Sequence, residues 1–189
     1  MTDLLTAAHQ WLTDALPPGE FVRFGSRSWC LFSGLILAGR ACDLGSTYLA
    51  TPHLELEGNP IARRLGWRGG ILLSLLAAAG FGAWPMIAIS LTTTSGLVAA
   101  RNCQHAWLMR AMGEATYRVW FMEQIWRTPR VLLYGCHWAE AVLSALPGCA
   151  LLVWGGDNRV SLGVGLGLTG YGMAVALFTT LALWRLGRH

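Results

Sequence analysis

Arg40 and Asp43 stand one helical turn apart inside an apolar run, and Thr47 follows at the next turn. Further on, "ARNCQHAW" sets Arg101, Asn102 and His105 inside a second apolar run, and "CHWAE" sets His137 and Glu140 inside a third. Ionisable groups in apolar surroundings either neutralise one another or do chemistry, because an isolated charge there is costly. His137 and Glu140 have the i,i+3 spacing by which one helix face offers two ligands to one ion. Adding Asp43 and His105 gives two carboxylates and two imidazoles, a donor set that suits a transition metal such as zinc, iron or manganese. A neutral imidazole at His105 or His137 is also the kind of group that ligates a tetrapyrrole. The alternative for the same residues is a hydrogen-bonded polar core without metal. In that reading Arg40 and Asp43 pair within their helix, and Arg101 serves Asp43 or Glu140 as counter-ion. Nucleophile chemistry is not indicated: Ser144 lies one turn after Glu140 without a GxSxG frame. Cys136 and His137 are adjacent and therefore point to different helix faces.

The elements that must position these groups are apolar and long. Of 189 residues, 54% are hydrophobic and 13% charged, against about 25% charged in soluble domains. Ten tryptophans fit the same membrane reading, since indole rings favour the headgroup zone. All fourteen cationic side chains are arginine. No arginine-rich run or aromatic-basic interleaving forms a nucleic-acid groove, so the positive balance is assigned to loops facing anionic lipid. Cys30, Cys42, Cys103, Cys136 and Cys149 lie in or beside apolar segments without a CxxC, and are expected to pack as small apolar side chains. Asp3 and the lack of an early basic stretch argue against a signal peptide.

The pattern predicts an all-α integral membrane fold: a single transmembrane domain over 1–189 with about five transmembrane helices and an N-terminal amphipathic interfacial helix. That first helix, 1–18, gathers Leu4, Leu5, Ala8, Trp11, Leu12, Ala15 and Leu16 on one face and stops at Pro17-Pro18. The spans are expected at about 29–50, 69–89, 91–112, 131–154 and 160–184, each near the ~20 residues a crossing needs. The segment 91–112 carries Arg101, and one central arginine costs about 2.5–3.5 kcal/mol on insertion scales. It therefore needs polar partners on its neighbours, and a four-span arrangement omits it. With five spans the arginines collect on one side, giving a bacterial inner-membrane protein with N-terminus out and C-terminus in. The stretch 113–130 becomes an amphipathic connector, with Arg110–Glu114 and Glu114–Arg118 at i,i+4. Gly163, Gly165, Gly167, Gly170 and Gly172 give the last helix a face for close approach, within the chain or to a partner.

Five spans also bring Arg40, Asp43, Thr47, Arg101, Asn102, His105, His137 and Glu140 to one depth, as a polar layer. After the first span, Asn59 suits an N-cap and Pro60 the first helical turn, so "NPIARRLGW" reads as a short helix ended by Gly66. Glu57 either accepts hydrogen bonds at that turn, pairs with Arg63 or Arg64, or folds back over the layer to close a site begun by Asp43.

The order Asp43-x-x-x-Thr47, then Glu57-Gly-Asn59-Pro60 and an apolar helix, resembles a family of small bacterial membrane proteins classified only as a domain of unknown function. The resemblance covers about residues 30–90. It implies a helical membrane fold with Asp43, Thr47, Glu57, Asn59 and Pro60 as its signature, and implies no reaction. The function expected from the whole chain is an accessory or assembly subunit of a larger membrane complex. Its partners would be the lipid bilayer and other membrane subunits or a second copy, met through the glycine-rich last helix. The alternative is an intramembrane enzyme, metal-dependent in one form, acting on a lipid or lipid-linked substrate near the cytoplasmic leaflet. A transporter would need an inverted repeat, which the sequence does not display.

Overall fold

The computed structural model describes residues 21–57 and 60–186, and in these the chain is all-helical. Six helices follow in order: α1 Arg27–Ala50, α2 Pro60–Phe81, α3 Pro85–Met112, α4 Glu114–Arg127, α5 Arg130–Trp154 and α6 Arg159–Leu186. The expected helix over 1–18 lies outside the described residues, as does Asn59.

The local chemistry sets the boundaries. Ser26 caps α1, its hydroxyl accepting from the Trp29 amide at 3.2 Å. Gly113, at φ +78, turns the chain between α3 and α4, a conformation that a side chain would oppose. Asn158 caps α6 through the Val160 and Ser161 amides, at 2.9 and 3.2 Å. Within α2, Gly66 sits at φ 61 and ψ −169 and kinks the helix, at the residue where the sequence ends its short helix.

Packing runs α1 on α3, α3 on α6 and α6 on α5, with α2 touching α1 more lightly and α4 at the edge. One apolar cluster joins Val22, Phe32, Ile36, Ala78 and Ala88; another joins Ala141, Tyr171 and Val175. Small residues let the backbones approach. Gly39 of α1 lies against Thr92 of α3, Gly163 and Gly167 of α6 against Ile89 and Thr93 of α3, and Gly148 of α5 against Thr169 of α6. The glycines of the last helix are thus largely used inside the chain.

The expectation of about five transmembrane helices is corrected. Among the described residues two helices, α5 and α6, are long and apolar enough to cross a membrane. The other segments are diluted or interrupted. α1 carries Arg40 and Asp43 among glycines and hydroxyl residues, and α3 carries Ser90, Thr92, Thr93, Thr94 and Ser95 ahead of Arg101, Asn102, Gln104 and His105. The expected span 69–89 is broken by the turn at Gly82-Ala83-Trp84. With two candidate crossings, the alternation that set the N-terminus outside no longer follows. The two apolar helices point to membrane association, and α5 fits it closely: Ala141 and Gly148 are its buried residues, while Leu132, Leu143, Leu146 and Val153 face outward. A broad outward apolar face with one thin buried seam is at odds with water on that face.

Candidate functional site

α1, α2 and α3 together hold the first polar group. The Arg40 guanidinium donates to the Asp43 carboxylate one turn on, and its Nε donates to Ser74 Oγ of α2 at 3.1 Å. Ser74 in turn donates to the Gly70 carbonyl at 2.8 Å. One turn further along α1, Asn102 of α3 reaches across and donates to Thr47 Oγ1 at 3.0 Å and to Ser46 Oγ at 3.3 Å. Ser46 donates to the Asp43 carbonyl. Thr47, Ser46 and Ser74 are buried. Glu57 lies near enough for its charge to act on Asp43.

The second group sits between α3, α5 and α6. Arg101 stands 3.4 Å from Glu140, and His137 Nδ1 lies 3.9 Å from the same carboxylate oxygen. The Tyr171 hydroxyl donates to the other oxygen at 3.4 Å. About a third of the Arg101, His137 and Glu140 side chains is exposed. His105 turns elsewhere, with Nδ1 at 3.5 Å from the Arg101 carbonyl of its own helix. Ser144 donates to the Glu140 carbonyl, so its hydroxyl is engaged with backbone.

The expected polar layer is therefore two hydrogen-bonded groups joined by neighbouring residues of α3: Asn102 faces α1 and Arg101 faces α5. Of the counter-ion alternatives, Arg40 takes Asp43 and Arg101 takes Glu140. The proposed metal set of Asp43, His105, His137 and Glu140 is not assembled: among the described residues no three His, Cys, Asp or Glu side chains converge as ligands would. His137 and Glu140 do share one helix face, but Asp43 bonds within α1 and His105 backs onto its own helix. The five cysteines also depart from expectation. All are free and exposed rather than packed inside the chain.

A third polar site was not anticipated. Glu114, the first residue of α4, accepts the Thr51 hydroxyl at 2.5 Å, the His53 amide at 2.9 Å and the Glu55 amide at 3.1 Å. Thr51 Oγ1 also accepts from the Leu56 amide at 3.2 Å. One carboxylate thus binds the turn that leaves α1. The turn needs such help because Leu54 sits at φ 57, in the left-handed region, and its amides have no helix to join. Burial pushes the Glu114 carboxyl up, but the Thr51 hydroxyl and the His53 and Glu55 amides outweigh it and hold it below the ordinary range. The expected Arg110–Glu114 and Glu114–Arg118 pairs give way to this use. The exposed i,i+4 pair on α4 is Glu123–Arg127 at 2.5 Å. Nothing in the spacing flags Glu114, because its partners lie about sixty residues earlier.

Chemically, both inner groups are arranged to satisfy charge and hydrogen bonding between helices. Among the described residues, no fully buried side-chain nitrogen or oxygen lacks a hydrogen-bond partner. Comparison of the chain with family models, curated proteins and solved structures returned no match.

Proposed function

We propose that the chain is an accessory or assembly subunit of a larger complex in a bacterial cytoplasmic membrane. One observation carries the reading. The polar residues of the interior bond to each other across α1, α2, α3, α5 and α6, while large apolar side chains face outward from α2 and α5. Interhelical polar contacts of this kind fix a helix arrangement, and outward apolar faces are where lipid or neighbouring subunits pack. The likeness of the Asp43–Thr47 and Glu57–Pro60 stretch to small bacterial membrane proteins fits the same reading. For orientation, Arg127 precedes α5 and Arg130 opens it, and Arg185 and Arg188 fall at or beyond the end of α6. At the other ends of the two helices, Asp157 lies in the connection and Arg159 opens α6. The positive-inside rule then puts the C-terminal end in the cytoplasm.

The test is the size of the particle extracted gently from its native membrane. A subunit migrates well above the 20.5 kDa of one chain and brings the same partner chain, in fixed ratio, through two different detergents. A chain that emerges alone in both detergents refutes the assignment.

A second reading, an intramembrane enzyme acting on a lipid or lipid-linked substrate, rests on the partial exposure of Arg101, His137 and Glu140. There Arg101 would hold a phosphate or carboxylate and Glu140 or His137 would move a proton. It requires that Glu140→Gln abolish turnover of such a substrate while leaving the fold intact.

A further inference from the structure

The strongest unassigned feature is the start of α2. Arg63, Arg64 and Arg68 are exposed there, and among the described residues none has an acidic partner. Immediately beyond them the helix turns outward Ile71, Leu72, Leu73, Leu75 and Leu76, each at least half exposed. The Gly66 kink sets Arg63 and Arg64 on a separate helical turn from Arg68 and the leucines. Beside the arginines, Tyr48 and Trp67 stack edge to face with ring centroids 5.5 Å apart, and Trp67 Nε1 donates to the Pro52 carbonyl at 3.0 Å.

Along one helix, then, guanidinium groups come first, an amphipathic aromatic pair is level with them, and bare aliphatic side chains follow. Arg68 and Leu76 are eight residues apart, about 12 Å along the axis. That is the order and scale of headgroup, interface and acyl chain in one leaflet, with Tyr and Trp where they are enriched. Guanidinium groups are matched to phosphate by their planar donor fork, and basic residues at a bilayer surface gain from anionic lipid.

From this arrangement we infer that the start of α2 is a docking surface for an anionic leaflet, with Arg63, Arg64 and Arg68 gathering phosphate-bearing, net-negative lipid headgroups while Ile71 to Leu76 lean on the acyl chains. The inference rests on the membrane assignment and adds a lipid class and a site to it.

The experiment uses the full chain in mild detergent, given phosphatidylcholine and phosphatidylglycerol in equal amounts, with the lipids it retains weighed by native mass spectrometry. Wild type should retain phosphatidylglycerol preferentially. Arg63→Gln, Arg64→Gln and Arg68→Gln should each lower that preference by roughly fivefold, with unchanged phosphatidylcholine retention and unchanged thermal midpoint. The triple Arg→Lys variant should keep most of the preference, which guards against a fold defect in the glutamine series. Equal retention of both lipids by wild type, or a preference that survives the triple Arg→Gln change, overturns the docking surface and leaves the membrane assignment standing. A chain that stays monodisperse without detergent and retains neither lipid overturns both.

Discussion

Glu114 accepts the Thr51 hydroxyl at 2.5 Å across 63 positions of sequence, and with the His53 and Glu55 amides this makes α4's first residue the clasp of the turn after α1. The contact fixes α4, which otherwise lies at the edge of the bundle, to the end of its longest-packed helix pair. Replacing Glu114 by Ala leaves two backbone amides and a hydroxyl to find water. Hydrogen bonds to charged groups contribute about 1.5–3 kcal/mol each when sheltered, and this site is partly exposed, so a total loss of about 1–2 kcal/mol is expected. Equilibrium unfolding in detergent measures it. A double-mutant cycle with Thr51→Val should return a coupling of at least about 0.5 kcal/mol; strict additivity would mean the clasp carries no energy.

The same clasp sets a pH response. Glu114 titrates below the ordinary glutamate value of 4.5, so the folded state binds its proton less readily than the unfolded state does. Its contribution is complete above that ordinary value and fades as pH falls through the lower folded value. Stability of wild type should thus drop more steeply than that of Glu114→Gln on acidification below about pH 4.5. Parallel acid limbs for the two proteins, measured by thermal midpoint against pH, would remove Glu114 from the account.

Two ion pairs of similar appearance should differ in weight. The Asp43 side chain is 14% exposed and its Arg40 partner 30%, whereas Arg101 and Glu140 are 34% and 35% exposed. Removing one partner from a sheltered pair strands a charge, and exposed pairs are worth little. Arg40→Ala should cost about 2–3 kcal/mol, and Arg101→Ala less than about 1 kcal/mol. An inverted order, read from unfolding midpoints of the two variants, would show that burial does not govern these pairs.

Asn102 bridges α3 to α1 through Thr47 and Ser46. Asn102→Ala should cost about 1–2 kcal/mol, and Thr47→Val made in the same background should then add less than it does alone. The readout is again a double-mutant cycle. Full additivity would place the bridge outside the energetics of the α1–α3 contact.

The contrast between what the sequence announces and what it hides has a physical reason at each residue. The helices are legible as long apolar runs, and the kink at Gly66 falls at the residue where the sequence ends its short helix. The Arg40–Asp43 and Arg101–Glu140 pairs are legible because a charge in an apolar run demands a partner, and few are on offer. Crossing number is another matter. Helix length persuades the eye, but α3 dilutes its apolar residues with five hydroxyl side chains, and the Gly82–Trp84 turn cuts a run that reads as continuous. Asp43, His105, His137 and Glu140 seem a ligand set only while depth is the sole coordinate. Rotation about each helix axis decides who meets, and the sequence carries rotation only weakly. Glu114 and Tyr171 were hidden for a related reason, since each has a nearby plausible role, i,i+4 pairing or glycine-run packing, and takes a distant one.

The glycines of α5 and α6 provide the sharpest test of the packing. A Cβ on Gly148 would stand 2.5 Å from Thr169 Oγ1 and 2.7 Å from both the Gly165 carbonyl oxygen and the Thr169 nitrogen. Two of these three are backbone atoms of α6, so relief requires the helices to separate, and Gly148→Ala should destabilise by about 1–3 kcal/mol. Gly170 belongs to the same glycine-rich run, yet a Cβ there meets nothing within 4 Å. Gly170→Ala removes backbone freedom from the unfolded chain without a clash and should stabilise by about 0.5–1 kcal/mol. The two variants differ in sign, and thermal midpoints in one detergent compare them directly. Should Gly170→Ala instead disrupt a higher-mass particle while leaving the isolated chain as stable as before, the open side of this helix is where a neighbouring subunit packs. Should both variants destabilise the isolated chain alike, the α5–α6 crossing is not the one described.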